Sequence, residues 1–335
     1  MKKILVTGGT GYIGSHTVVE LVNEGFEPVI IDDFSNSNPQ VLNRLESLTG
    51  KALIFHEGNC CDTNFLDRIF TQHQLSGVIH FAAHKAVGES VENPFKYYEN
   101  NLGSLVAILK TMEKFDVNHF VFSSSCTVYG NPENSKCVYE TTPLGVPNSP
   151  YGWTKLMGEQ IIRDAVVKTG IRAVLLRYFN PIGAHPSGII GELPQGIPNN
   201  ILPYITQTAI GLRESLTVFG SDYPTPDGTC IRDYIHVVDL AKAHLLSLSH
   251  SSVSNPEVFN LGTGKGTSVL ELIQQFEEVS NRKLNWNFGA RRAGDVTEIY
   301  ANTEKVNAQL GWNPQYSVKD ALADAWRWEQ NRNAK

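Results

Sequence analysis

Short apolar runs alternate with longer segments of helical periodicity through the first 180 residues of the chain. The runs are rich in β-branched residues and have few polar interruptions, which is typical of parallel strands buried on both faces. They lie at residues 3–7, 28–31, 52–56, 77–81, 119–123 and 172–176. Helices are predicted at residues 13–24, 65–72, 103–115 and 151–169. The alternation predicts an α/β fold, a doubly wound parallel sheet with helices on both faces.

After residue 180 the chain becomes rich in Gly and Pro, in the segments PIGAHPSGIIGELPQGIPNN and SDYPTPDGTCIRDY. Such long connections are usually functional. A helix at residues 239–248 and a strand at 258–261 are predicted to return to the main sheet, and helices are predicted at 268–280 and 317–329. The sequence thus predicts a large domain and a smaller interleaved α/β domain. The first comprises residues 1–180 plus about 237–262, and the second residues 181–236 and 263–335.

Composition and charge narrow the range of partners. The chain has 335 residues, of which 41% are hydrophobic and 19% charged, and a formal net charge of -6. Nucleic acids and anionic membranes call for a basic surface, so neither is an expected partner. No apolar run approaches the roughly 18 residues of a membrane helix, and the first residues lead into a strand rather than a signal peptide. We therefore expect a cytoplasmic protein.

The cysteines and histidines do not indicate a metal site. The five cysteines are odd in number and form no C-x-x-C pair, and the ten histidines show no H-E-x-x-H spacing. Neither a disulfide framework nor a bound metal is expected.

The segment ILVTGGTGYIGSH carries the first chemical signal. Gly8, Gly11 and Gly14 fall between the first predicted strand and the first helix, where glycines let the backbone approach a pyrophosphate at the helix N-terminus. The next strand ends in Asp32, about 20 residues on, as expected for a ribose-binding acid, and Asp33 is a second candidate. A carboxylate would repel a 2′-phosphate, so the pattern favours a Rossmann-type sheet that binds NAD rather than NADP. The alternative is a tight turn without a ligand.

The segment SPYGWTK carries the second signal. Tyr151 and Lys155 are four residues apart at the start of a predicted helix, so they share one face. A free phenol has a pKa near ~10, but a nearby ammonium and a cationic nicotinamide both favour the phenolate, which makes tyrosine a general base. Pro150 suits the helix boundary and Ser149 can cap it. A packing tyrosine beside a solvated lysine is the alternative.

Polar residues end the fifth predicted strand where apolar ones would be expected. Ser123, Ser124 and Ser125 stand at the sheet edge that the Tyr151 phenol would face. Ser125 is placed to hydrogen-bond the substrate hydroxyl that Tyr151 deprotonates. For Ser123 and Ser124, satisfying backbone groups is the open alternative.

The glycine pattern, the serine and the Tyr-Lys pair resemble the extended short-chain dehydrogenase/reductase superfamily, and within it the UDP-glucose (UDP-galactose) 4-epimerase family. The resemblance runs through HFAAHKAVGESV, FSSSCTVYG, SPYGWTK, RYFNPIGAHPSG, GIPNN, DGTCIRDYIHV, NLGTG, RRAGD and LGW. It implies a homodimer with tightly held NAD and a UDP-hexose substrate bound by the C-terminal part.

The resemblance also implies a set of site residues. Around NAD it places Tyr12, Ile13, Asp32, Asn36, Ser37, Asn59, Cys60, Phe81, Ala82, Ala83, Lys85, Asn100, Ser123, Tyr151, Lys155, Tyr178 and Phe179. Around the substrate it places Lys85, Ser125, Tyr151, Asn180, Asn200, Ile201, Phe219, Arg232, Arg292, Asp295 and Ile299. The two arginines would bind the diphosphate, although a single arginine is more often a surface ion-pair partner.

Two positions depart from the family pattern. Asn59 replaces an aspartate that accepts a bond from the adenine amino group, so we expect a weaker contact. Ile299 occupies the position that gates the sugar pocket, where tyrosine goes with plain hexoses and cysteine admits N-acetyl groups. Isoleucine is intermediate, so a UDP-N-acetylglucosamine 4-epimerase or dual specificity is the alternative; Ile299 as a core residue is another.

The implied activity is the reversible epimerisation of UDP-galactose and UDP-glucose at C4 through a transient 4-keto sugar. Tyr151 takes the C4 hydroxyl proton, NAD takes the hydride, and the hydride returns to the opposite face. A nucleotide-sugar 4,6-dehydratase would need an Asp-Glu pair where this chain has Cys126-Thr127. A non-catalytic NAD-sensing module is disfavoured by Ser125, Tyr151 and Lys155.

Overall fold

The computed structural model describes residues 1–132, 136–250, 255–292 and 294–334. The strands, numbered in chain order, are β1 Lys3–Thr7, β2 Glu27–Asp32, β3 Ile54–Glu57, β4 Leu75–His80, β5 His119–Ser125, β6 Cys137–Val138, β7 Arg172–Tyr178, β8 Asn180–Ile182, β9 Leu216–Phe219, β10 Ile231–Arg232, β11 Tyr234–His236, β12 Glu257–Leu261, β13 Thr267–Ser268, β14 Trp286–Gly289 and β15 Glu298–Ala301. The strands β1–β5, β7 and β12 follow the predicted apolar runs, and the other strands were not predicted.

The main sheet confirms the predicted Rossmann-type, doubly wound architecture. Within the described residues it has seven strands in the order β12-β7-β5-β4-β1-β2-β3. The pairs β1/β2, β2/β3, β1/β4 and β4/β5 are parallel. The strand order reverses between β1 and β4, and open α/β sheets bind ligands at the carboxyl ends of strands beside such a switch point.

The helices cover the predicted segments and add several. They are α1 Tyr12–Asn23, α2 Gln40–Thr49, α3 Thr63–Gln72, α4 Val87–Glu92, α5 Pro94–Lys114, α6 Pro150–Thr169, α7 Ile201–Ala209, α8 Val237–Ser249, α9 Val269–Ser280, α10 Glu304–Leu310 and α11 Val318–Asn333. A short 3₁₀ turn, Cys126–Tyr129, follows β5. No helix in the described part of the chain is both long enough and apolar enough to cross a membrane.

The start of one helix was predicted correctly from its capping residue, and the start of another was not. Ser149 caps α6 as predicted, because its hydroxyl accepts from the Gly152 N–H at 3.2 Å. The predicted start of α5 at residue 103 is wrong, since the helix begins at Pro94. A proline at the first helical position fits there because its missing N–H would have had no partner within the helix.

The described residues form two compact units. The first comprises Met1–Gly130, Leu144–Arg177 and Ala241–Phe259, and the second comprises Asn131–Pro143, Tyr178–Leu240 and Asn260–Lys335. In the first unit, apolar strand residues pack against helices, as in the core around Leu5, Leu105 and Ile162. The second contains the small sheets β13-β10-β15-β6, β11-β8 and β14-β9 and a core around Ile205 and Trp326.

Candidate active site

The glycine-rich turn brings the first strand directly against the first helix. Gly8 has φ +69° and its Cα would place a Cβ 2.9 Å from the Ala82 nitrogen, so only glycine fits without strain. A Cβ on Gly14 would overlap the Gly8 carbonyl oxygen and lie 2.9 Å from the Gly9 Cα. Gly11 is the N-cap of α1 and provides no side-chain cap, and a helix N-terminus of this kind suits a phosphate oxygen. This turn suits the pyrophosphate of a dinucleotide.

Asp32 organises the loop that follows β2. Its carboxylate accepts from the Thr10 N–H at 3.0 Å, the Phe34 N–H at 3.0 Å and the Ser37 hydroxyl at 3.1 Å. A carboxylate has about four lone-pair sites, so one acceptor position is left for a ribose hydroxyl. The neighbouring Asp33 instead accepts from the Ser35 N–H at 2.9 Å and closes a local turn. Asp32 is therefore the better ribose acceptor, and Asn36 in the same loop is exposed.

The carboxyl ends of β3 and β4 carry further cofactor candidates. The Asn59 side-chain oxygen accepts from the Cys61 N–H at 2.7 Å and holds a local turn. Part of its capacity to accept a hydrogen bond from the adenine amino group is therefore already used. Cys60 is buried, and burial together with Asp32 raises the pKa of its thiol. It is an inert packing residue. After β4, the Phe81 N–H donates to the Thr7 carbonyl at 3.0 Å, which extends the strand pairing into the loop.

Two further cofactor candidates lie in the loop after β4 and in α5. Lys85 Nζ lies 5.8 Å from the centre of the Tyr12 ring, within reach of a cation–π interaction. Asn100, in α5, donates through Nδ2 to the Asn101 side-chain oxygen at 3.0 Å.

Asn101 was not predicted from the sequence, and it joins two parts of this site. Its side-chain oxygen accepts from the His84 N–H at 2.8 Å, and its Nδ2 donates to the His84 carbonyl and to the Thr154 hydroxyl, both at 3.0 Å. One buried amide thereby ties the loop after β4 to the turn of α6 that carries the Tyr-Lys pair. The adjacent Asn100-Asn101 pair in a helix is the only sequence signal, since asparagine is a weak helix former.

The predicted catalytic residues meet at the end of β5. The Ser125 hydroxyl interacts with the Tyr151 hydroxyl and acts to lower its pKa. The Ser125 oxygen also accepts from the Thr127 N–H at 3.2 Å and from its hydroxyl at 3.0 Å, which fixes its position. Lys155 donates from Nζ to the Ser123 carbonyl at 2.6 Å and lies 5.8 Å from the Tyr151 ring centre. The arrangement can hold a hydroxyl-bearing substrate carbon against a tyrosine base.

Burial perturbs both titrating groups of this cluster. It raises the pKa of Tyr151 to about 12, against the opposing effect of the Ser125 hydrogen bond and with a small contribution from Cys126. It lowers the pKa of Lys155 to about 7. The expectation that the ammonium would favour the phenolate is therefore not met by the protein alone, because desolvation disfavours both charged forms.

In the second unit, two arginines share one carboxylate. Arg292 Nη2 donates to Asp295 Oδ1 at 2.7 Å, and Arg232 Nη2 lies 3.6 Å from the same oxygen. The Arg292 guanidinium also lies 5.9 Å from the centre of the Phe219 ring. Two positive charges against one negative charge leave a net positive cluster beside an aromatic ring, which suits an anionic group attached to a base.

The other substrate candidates lie on nearby elements of the second unit or are engaged elsewhere. Ile299, on β15, is 5% exposed and is the register partner of Arg232 on β10. Asn200 precedes α7 and donates to Glu192 Oε1 at 2.6 Å, and Ile201 begins that helix. Asn180, at the start of β8, donates its N–H to the Asp233 carbonyl, and the NAD candidates Tyr178 and Phe179 are buried beside it.

Asp233 is a second residue that the sequence analysis missed. It is fully buried and accepts from the N–H groups of Thr263 at 2.7 Å, Gly264 at 3.0 Å and Ala301 at 3.1 Å. It thereby fixes β10, which carries Arg232, against β15. The described residues contain no cluster of three or more potential metal ligands.

Comparison with known proteins gives consistent results. A family model described as GDP-mannose 4,6 dehydratase matches residues 5–325. The chain is 51% identical over 330 residues to UDP-glucose 4-epimerase of Bacillus subtilis (strain 168), a match that covers 98% of this chain and 97% of the relative. It is 48% identical to the enzyme of the same name from Dictyostelium discoideum over 98% of this chain and 95% of the relative. The crystal structure of UDP-glucose 4-epimerase from Bifidobacterium longum, in complex with NAD+ and UDP, has a TM-score of 0.95 and 45% identity and covers 99% of both chains.

Proposed function

The chain belongs to the UDP-glucose 4-epimerase family, and from that premise we propose that it interconverts UDP-galactose and UDP-glucose with tightly bound NAD. The observation that carries the proposal is the position of Lys155, which donates to the Ser123 carbonyl at 2.6 Å and lies 5.8 Å from the ring centre of Tyr151 on the same helix face. A tyrosine base held in this way suits removal of a proton from a sugar hydroxyl.

The proposed roles follow from the contacts of each side chain. Ser125, fixed by Thr127, orients the C4 hydroxyl, and Tyr151 takes its proton and later returns it. Lys155 holds the Ser123 carbonyl and supplies positive charge beside the phenol. NAD, when bound, accepts and returns the C4 hydride, and its positive ring favours the Tyr151 phenolate. No second redox substrate is consumed, and a 4-keto sugar is the intermediate.

We assign NAD to the first unit and the nucleotide sugar to the second. The glycine turn and Asp32 support the first assignment, since an uncapped helix N-terminus and a single carboxylate suit a pyrophosphate and a ribose. Arg232 and Arg292 support the second, because guanidinium groups form charge-assisted bonds to a diphosphate. The roles of these residues are part of the proposal.

The match to a dehydratase-named family model does not favour dehydration. An acid/base pair is expected after Ser125 in such enzymes, whereas this chain has Cys126 and Thr127. Thr127 donates its hydroxyl to Ser125 and so serves the positioning of the sugar hydroxyl. Neither residue carries a carboxylate that could act as acid or base.

We also propose that the protein is a cytoplasmic homodimer that pairs through α5 and α6. Apolar side chains on these helices are exposed: Phe95 by 78%, Val167 by 67% and Met157 by 39%. A dimer interface that covers these helices would bury them. Sedimentation of the wild type should give a dimer mass, and Phe95→Glu should shift it toward the monomer; a monomeric wild type would contradict the pairing.

The test of the activity is proton NMR of the anomeric region after the purified protein is mixed with UDP-galactose and no added cofactor. Growth of UDP-glucose signals to a steady ratio would support both the epimerisation and a co-purified NAD. If the spectrum does not change after NAD is supplied, the hexose assignment fails. The same experiment with UDP-N-acetylglucosamine then distinguishes an N-acetylhexosamine enzyme from a protein that is not an epimerase.

A further inference from the structure

Each of the last three residues of β5, 123–125, contacts a different side chain on one face of α6. Tyr151, Lys155 and Glu159 follow each other at intervals of four, so their side chains share this face. Lys155 binds the carbonyl of the first serine at 2.6 Å, and Glu159 Oε1 accepts from the hydroxyl of the second at 2.6 Å. The hydroxyl of the third interacts with the Tyr151 hydroxyl and acts to lower its pKa. Two of these three contacts involve the proposed catalytic pair, and Glu159 completes the set.

Glu159 is itself held by a buried arginine. Arg177, on β7, donates from Nε to Glu159 Oε1 at 2.8 Å and from Nη2 to Oε2 at 2.6 Å. Its Nη1 donates to the Tyr129 hydroxyl at 2.9 Å, in the 3₁₀ turn that follows β5. The Glu159 and Arg177 side chains are only 1% and 2% exposed, whereas Arg163, 3.5 Å from Oε2, is 36% exposed. The bidentate geometry leaves the carboxylate no rotational freedom.

Burying such a pair is costly, and apolar residues of similar size often serve stability as well or better. Because stability alone does not explain a buried Glu159–Arg177 pair, a role of the pair in the site is expected. The pair lies directly behind the strand end that Tyr151 and Lys155 use, and it contacts β5, α6, β7 and the 3₁₀ turn at once. The Glu159 carboxylate and its arginine partner thus link the four elements that meet at the catalytic pair.

We propose that Glu159 is a positioning residue that, through Ser124 and Arg177, sets the register of the β5 end against α6. Ser125 and the Ser123 carbonyl then meet Tyr151 and Lys155 at hydrogen-bonding distance. The proposal rests on the function proposed above. Its consequence is that loosening Glu159 from the strand slows proton transfer at Tyr151 without weakening the hold on NAD or on the nucleotide.

Ser124→Ala is the mildest variant that tests this, because it removes the strand's bond to Glu159 and leaves the ion pair intact. We expect kcat for UDP-galactose to fall by about tenfold, since small misplacements of reacting groups are that costly. KM and the NAD content should stay within twofold. The rising limb of the kcat–pH profile should move to higher pH, because a weakened Ser125 bond no longer opposes the raised pKa of Tyr151.

Two single variants calibrate the effect. Ser124→Thr keeps a hydroxyl and should restore most of the turnover. Ser247→Ala removes a buried hydroxyl of α8 that donates to the Ala243 carbonyl at 2.7 Å and should leave kcat and the pH profile unchanged.

The paired variant Glu159→Met/Arg177→Met replaces both charges with apolar side chains and is expected to fold with kcat reduced at least as far as in Ser124→Ala.

If the wild type is active, and both Ser124→Ala and the paired variant keep its kcat and pH profile, the positioning role is overturned. A fall in thermal stability with unchanged kinetics would also overturn it, since that pattern marks a structural pair. If the wild type itself forms no UDP-glucose, the proposed function fails instead, and the two failures are thereby separated.

Discussion

Replacing Lys155 with methionine should stabilise the cofactor-free protein while it inactivates the enzyme. The ammonium is 4% exposed, and burial lowers its pKa from 10.5 to about 7. At pH 7 the unfolded chain binds this proton fully and the folded protein binds it about half of the time, so burial costs about 4 kcal/mol. Methionine removes this cost but also removes the hydrogen bond to the Ser123 carbonyl, which destabilises the variant by about 1 kcal/mol. A net stabilisation of about 3 kcal/mol at pH 7 is expected.

The sign of the pH dependence makes the prediction specific. The folded pKa lies below the unfolded one, so the penalty is fully present below pH 7 and disappears as the pH rises toward 10.5. At pH 9 the penalty falls to about 2 kcal/mol, so the advantage of Lys155→Met over the wild type should shrink by about 2 kcal/mol between pH 7 and pH 9.

Urea denaturation of NAD-stripped protein at the two pH values, followed by circular dichroism, measures this difference. Lys168→Met, at an exposed site on the same helix, is the matched control and should run parallel to the wild type at both pH values. A stability difference between Lys155→Met and the wild type that is the same at pH 7 and pH 9 would refute the reasoning.

Three further predictions address the proposed site. Tyr151→Phe should lower turnover by at least about 10²-fold without changing the unfolding curve, because only the proton acceptor is removed; near-normal turnover would exclude it as the base. Gly14→Ala should abolish co-purification of NAD and lower stability by about 1–3 kcal/mol, since the added Cβ overlaps the Gly8 carbonyl oxygen, and absorbance of the released cofactor reports it. Ile299→Tyr should reduce any turnover of UDP-N-acetylglucosamine and Ile299→Cys should raise it, measured by NMR against UDP-galactose. Identical substrate ratios in all three proteins would mean that Ile299 serves only as a core residue.

Local patterns predicted the main sheet and the centre of the site. The strands β1, β2, β4, β5 and β7 coincide with apolar runs, because strands buried on both faces have no reason to interrupt them with polar residues. The serines at the end of β5 break that pattern, and two of them contact the predicted catalytic pair. Such breaks are expected where function outweighs local propensity.

Helix boundaries without a strong periodic signal were predicted less well. The start of α5 was placed at residue 103 rather than at Pro94, because its first two turns carry aromatic and polar residues with no apolar stripe. The helix α2 was not predicted, although Leu42, Leu45 and Leu48 recur in it at helical spacing.

What the chain's sequence determined is therefore the strands of the main sheet, the glycine turn, and the shared helix face of Tyr151 and Lys155, all of which depend on spacings of a few residues. Only the tertiary structure decided that Asn101 binds Thr154, 53 positions away, and that the Ser124 hydroxyl reaches Glu159, 35 positions away. It also decided that burial moves the pKa values of Tyr151 and Lys155 in opposite directions. Periodicity records which side of an element is buried, whereas partners and solvent access depend on which elements the fold brings together.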